Sequence, residues 1–162
     1  MEPSEPKVPI VVSVDFFDFK GDLMSGVARC VYGHGAVHVG LMLDEDRYLF
    51  PHPAQGLTMR KTATVYRKCQ PELFVQLMGN EPLDLNWFEK KFQGRKLSNA
   101  FIRLVTEPMY VFADLGADLA LPKRETCVSQ ITDVLRELNI VTFSKTTQSL
   151  YHELVAHPMR VG

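Results

Sequence analysis

One apolar segment with a histidine in its middle constrains this chain more than any other stretch: AVHVGLML, residues 36–43. The acidic turn DED (44–46) follows, and then the returning segment RYLFPH (47–52). β-Branched and aliphatic residues bounded by a turn of acids read as an antiparallel hairpin. Strand alternation sends His38, Gly40 and Met42 to one face, and Val39, Leu41 and Leu43 to the other. His38 is then held rigidly within a sheet. Gly40 leaves space beside it for a buried helix end or a substrate. His52 ends the return strand, before Pro53, and lies near His38 across the pair.

The flanking chain divides by pattern. VPIVVSVDFF (8–17) and TMRKTATVYRKC (58–69) read as strands. FKGDLMSGVARCVYGHG (19–35) is punctuated by four glycines and reads as strand and turn, or as a short helix between glycines. PELFVQLMG (71–79), opened by proline and closed by glycine, reads as a short helix. LDLNWFEKKFQG (83–94) reads the same way, with Asp84 or Asn86 as cap. Residues 98–122 carry irregular apolar runs, expected as strand plus loop. TCVSQITDVLRELN (126–139), capped by Thr126, is the clearest helix, and TTQSLYHELVAHP (146–158) is another. The fold class expected is α+β, an antiparallel sheet packed against a helix N-terminus. Residues 1–7 are expected as a flexible leader and 8–162 as a single domain.

Composition excludes several functions. With 18 basic and 19 acidic residues, no field of one sign invites nucleic acid. No apolar run approaches the ~20 residues of a transmembrane helix, and MEPSEPK does not resemble a signal peptide. Three widely spaced cysteines without CxxC argue against a disulfide scaffold or a zinc site and for a reducing, cytoplasmic setting. Neither GxxxxGK[ST] nor GxGxxG occurs, and no cofactor is implied. Cys30, His34 and His38 have helical metal-ligand spacing, but Gly33 and Gly35 break the helix that spacing needs, so no metal is expected. Asp44, Glu45 and Asp46 read as a solvated turn, and KKFQGRK (90–96) as a wet helix end.

Among the cysteines, Cys127 stands apart. It occupies the first turn of a helix and shares a face with Ile131, Val134 or Leu135, and Leu138. A thiol there meets unpaired backbone N–H groups and the positive end of the helix dipole, which favour the thiolate and can receive an oxyanion. A nucleophile needs a base and a group to orient it. His38 and His52 supply those types from the hairpin.

These segments, taken in order, resemble a known superfamily. GDL (21–23), HVGLML (38–43), the strand ending in His52, the helix opening with TC (126–127) and SKTTQSLYHEL (144–154) resemble circularly permuted papain-like enzymes of the NlpC type. That superfamily includes the YiiX-like and lecithin retinol acyltransferase-like groups. The likeness covers residues 21–52 and 122–154, leaving 54–121 unaligned. It implies a permuted papain-like fold with Cys127 as nucleophile, His38 as base and His52 as the residue orienting the ring. His34 competes with His38, because HGAVHVG has the HxAxxxG context of the acyltransferase-like group. The turn before His52 is longer than usual, and Cys-Val-Ser-Gln departs from the usual residues after the cysteine.

The function expected is therefore a cysteine hydrolase or acyltransferase acting on an amide, thioester or ester through an acyl-enzyme. A peptide, an isopeptide or a lipid would be the substrate. Two alternatives differ in class. One is an inactive papain-like domain serving as an interaction module, such as a viral or bacterial effector with a host-protein partner. The other is an unrelated α+β protein in which His38 is simply core.

Overall fold

The computed structural model describes residues 8–52, 56–81, 90, 100–122 and 124–162. Its elements in chain order are β1 (Val8–Phe17), α1 (Leu23–Tyr32), β2 (His38–Met42), β3 (Tyr48–His52), β4 (Gly56–Arg60), α2 (Thr62–Lys68), β5 (Leu73–Glu81), α3 (Ala100–Asp114), α4 (Cys127–Glu137) and α5 (Thr147–Val155). The architecture is α+β. Five antiparallel strands lie in the order β4-β3-β2-β1-β5.

Strand β1 lies between β2 and β5 and is covered on both faces. Val12, Val14 and Phe16 alternate with Ser13, Asp15 and Phe17, and all six are buried. The first set packs with Val39, Leu41 and Leu77 against Ile131, Val134 and Leu135 of α4 and Leu150 and Leu154 of α5. Each such fully buried aliphatic side chain contributes about 1.5–3 kcal/mol. On the opposite face a smaller cluster joins Phe17 and Tyr48 to Val65 of α2. Asp15 lies within it and accepts hydrogen bonds from Ser13 (2.6 Å), Tyr48 (2.6 Å) and Tyr66 (2.7 Å). Burial pushes its carboxyl up, and those three hydroxyls only partly offset the shift.

The hairpin forms as expected, and β2–β3 pairing carries Leu41↔Leu49 and Met42↔Tyr48. The space over Gly40, expected for a helix end or a substrate, belongs to Tyr48 and Phe17. A Cβ there would come within 2.9 Å of the Tyr48 ring.

Of the two forms expected for residues 19–35, the short helix between glycines is the one present, as α1. Asp22 caps it by accepting from the Ser25 N–H, and Gly33 ends it at φ 81°. Residues 58–69 do not form one strand: β4 ends at Arg60 and α2 begins at Thr62, whose hydroxyl bonds the Asp44 carbonyl. Residues 71–79 form strand β5 instead of a helix. Nine register pairs along β1 impose a period of two, burying Val75, Leu77 and Gly79 between exposed neighbours. Tertiary pairing here overrides the proline-to-glycine bracketing. Residues 100–114 form helix α3 with Pro108 inside it, where a strand and loop were expected. The helix expected over 83–94 lies outside the described residues apart from Lys90.

Two ties hold the later segments in place. The Asp114 carboxylate, at the end of α3, accepts from the backbone N–H of Lys145 and Thr146 and from the Thr146 hydroxyl, which anchors the start of α5. Near the C-terminus, Met78 N–H donates to the Met159 carbonyl (2.8 Å) and Val161 N–H to the Gln76 carbonyl (2.9 Å), laying residues 159–161 along β5.

Candidate active site

Three helix N-termini converge on the first residues of β2. Each carries a side chain to the strand. At α4, Thr126 and Ser129 form a capping box in which each side chain bonds the other's backbone N–H. That cap presents Cys127 as the first helical residue. The helix is amphipathic, and its aliphatic face is buried against the sheet, so Cys127 is carried inward and is only 4% exposed. Its thiol approaches the Val37 carbonyl at 3.8 Å. At α5, the Thr147 hydroxyl donates to the same carbonyl at 3.0 Å. At α1, the Asp22 carboxylate meets the His38 ring, Oδ2 to Nε2, at 2.6 Å.

His38 opens β2 and is 1% exposed. Phe19 stacks on its imidazole with ring centroids 4.6 Å apart. With Nε2 held by Asp22, Nδ1 is the nitrogen left to exchange a proton. It is buried and holds no hydrogen bond among the described residues. The Cys127 sulfur is close enough that the charge of each group shifts the other's titration. Burial works against the imidazolium, but Asp22 and the Cys127 sulfur outweigh it and raise the His38 pKa to about 9. Burial likewise pushes the Cys127 thiol up. The His38 ring, the Val39 backbone N–H and the Arg103 charge outweigh that and leave it lowered. For Asp22, the cost of burial is overcome by His38 and the Ser25 N–H, and its carboxyl is lowered too. All three shifts favour a thiolate, an imidazolium and a carboxylate in sequence.

The Cys127 thiol and His38 border a cavity of about 320 Å³. Its walls are mainly apolar: Met24 and Val27 from α1, Leu104, Val111 and Phe112 from α3. Arg103 and the start of α5 supply polar groups. This volume and character are those of a small-molecule site. The cap uses the N–H groups of Ser129 and Gln130. Those of Cys127 and Val128, in the first turn of the helix, have no intrahelical acceptor, which suits them to receive an oxyanion.

The structure thus brings Cys127 and His38 together and puts Asp22, instead of His52, on the ring. His52 sits at the end of β3, paired in register with Gly56 of β4. The β2–β3 ladder stops at Leu41↔Leu49, short of His38, and Asp22 already occupies Nε2. His34 lies off this site. Its Nδ1 accepts from the Ala36 N–H and its Nε2 meets Gln148 at 3.3 Å. Asp22 was visible as part of GDL, but its meeting with His38 depends on α1, which the sequence offered as only one of two forms for that stretch.

Among the described residues, no three His, Cys, Asp or Glu side chains gather to hold a metal ion. No described helix is long and apolar enough to cross a membrane. Compared with protein-family models, curated proteins and solved structures, the chain matches none.

Proposed function

We propose that this chain is a cysteine hydrolase or acyltransferase of permuted papain-like type, acting on an amide, thioester or ester. One observation carries the reading: Asp22, His38 and Cys127 form a chain of interacting charges at the wall of a largely apolar cavity. A buried histidine alone, or a buried cysteine alone, is commonplace. The two coupled together, with a carboxylate behind the ring and free N–H groups beside the sulfur, are the parts that acyl transfer requires.

In the mechanism, Nδ1 of His38 takes the thiol proton and Asp22 holds the imidazolium. The Cys127 thiolate attacks the substrate carbonyl carbon. The oxygen of the tetrahedral intermediate accepts hydrogen bonds from the Cys127 and Val128 N–H groups. The imidazolium then protonates the leaving group as the carbon–heteroatom bond breaks, leaving a thioester on Cys127. Water, or another nucleophile, gives its proton to Nδ1 and attacks the thioester, releasing the acyl group. Peptide, isopeptide and lipid acyl donors all fit this chemistry.

Replacing Cys127 with alanine should abolish turnover of an activated ester or thioester while the far-ultraviolet spectrum and unfolding midpoint stay close to those of the parent. Full activity in that variant would end the mechanism. Iodoacetamide should alkylate Cys127 faster than Cys30 and Cys69 at pH 6. Equal rates would point instead to an inactive domain serving as an interaction module.

A further inference from the structure

Arg103, in the first turns of α3, is 6% exposed and lines the cavity that Cys127 and His38 border. A guanidinium withdrawn from water normally finds a carboxylate or several acceptors, because the bare charge is expensive to bury. Arg103 Nε is buried and has no hydrogen-bond partner among the described residues. The nearby acids are otherwise engaged. Asp22 Oδ2 is shared by His38 Nε2 and the Ser25 N–H. Glu107 pairs with Arg124 at 2.9 Å, and Arg124 also lies over the Tyr110 ring, 3.8 Å from its centre. Arg124 is thus engaged on the protein side, and Arg103 keeps an unsatisfied donor buried in the cavity wall.

Other features point the same way. The N-termini of α1, α4 and α5 converge at this place, and each brings partial positive charge. Arg103 is near enough to Cys127 and Asp22 for its charge to act on both. A group bound to it would share the cavity with a carbonyl under attack by Cys127. The wall formed by Met24, Val27, Leu104, Val111 and Phe112 is apolar and suits an aliphatic chain.

We propose that the ligand of this cavity is an acyl compound with an apolar chain and an anionic group, carboxylate or phosphate, close to the reacting carbonyl, and that Arg103 reads that charge. Calling the ligand a substrate rests on the cysteine-hydrolase reading; the binding preference does not. Lengthening the apolar chain strengthens binding through the cavity walls, and the anion fixes which end lies beside Cys127.

Octanoate, octyl phosphate and uncharged octanol, titrated calorimetrically into the full chain, test this without any turnover. At least one anion should bind about tenfold or more tightly than octanol, as expected for a charged hydrogen bond in a dry site. Octanoate ahead of octyl phosphate assigns a carboxylate, and the reverse assigns a phosphate. Arg103→Gln should erase the preference and Arg103→Lys should keep part of it. Octanol binding as tightly as both anions to the parent protein overturns the proposal even if the variants fail to fold, and so does a preference surviving in Arg103→Gln. If Cys127→Ala keeps full activity but the anion preference holds, the hydrolase reading falls and this one stands.

Discussion

Asp22 serves two neighbours through a single oxygen, accepting from the Ser25 N–H at 3.1 Å and holding His38 Nε2 at 2.6 Å. Asparagine is an equally good helix cap, so Asp22→Asn keeps α1 and removes only the negative charge behind the ring. His38 then gives up its proton below the present value of about 9. The alkaline limb of a kcat/KM–pH profile should move to lower pH, and kcat should fall by on the order of 10²-fold or more, as when a general base loses its orienting carboxylate. An unmoved limb would show that Asp22 does not hold the catalytic ring. His52→Gln should change kcat less than about threefold, because nothing in its register reaches Nε2. Cys127 and His38 were legible because each is announced locally, one by Thr126 and a run of helical spacing, the other by an alternating strand. Asp22 was not. Its role exists only once α1 has folded back, and no local pattern links residues 22 and 38.

At the scale of elements, the site depends on where helices begin. Thr126→Ala removes one half of the box that starts α4. It should cost about 1 kcal/mol in denaturant unfolding and raise the pH at which Cys127 alkylates. Retained stability together with unchanged alkylation would detach the cap from the thiol. Gly40 sets a different limit. Its missing Cβ is the room in which the Tyr48 ring and hydroxyl lie, 2.9 Å from where that atom would be. Gly40→Ala should therefore cost about 1–3 kcal/mol by overpacking, read from the same unfolding curves. The helices α4 and α5 were readable because caps and periodicity agreed. β5 and α3 were not, for opposite reasons. Leu73–Glu81 has apolar residues on both faces and takes its period from β1. Ala100–Asp114 contains Pro108, which argues locally against the helix that its apolar face, lining the cavity, sustains.

For the whole molecule, the buried His38 links stability to pH. A folded pKa raised to about 9 against 6.5 in an unfolded chain means that the ring stabilises the fold fully below pH 6.5 and loses that contribution as pH rises through about 9. The lowered Cys127 thiol acts in the opposite sense, so the cleanest reading uses Cys127→Ala. There Asp22 alone is left to hold the His38 proton, so a decline in unfolding temperature as pH rises above 6.5 reads the Asp22 share, and adding Asp22→Asn should flatten it. A flat profile in Cys127→Ala alone would mean that Asp22 does not keep the buried ring protonated without the thiolate.

The strap formed by residues 159–161 has a consequence for how many copies of this protein stay apart. Beneath it run the outward amide and carbonyl groups of Gln76 and Met78, and the exposed side chains of Val11, Phe74 and Met78 lie on the same two strands. Cutting the chain after His157 would bare a ready template for another molecule's backbone. Light scattering of that truncated form should grow with concentration while the full chain stays monodisperse, so a few closing residues would be what keeps neighbours from zipping together.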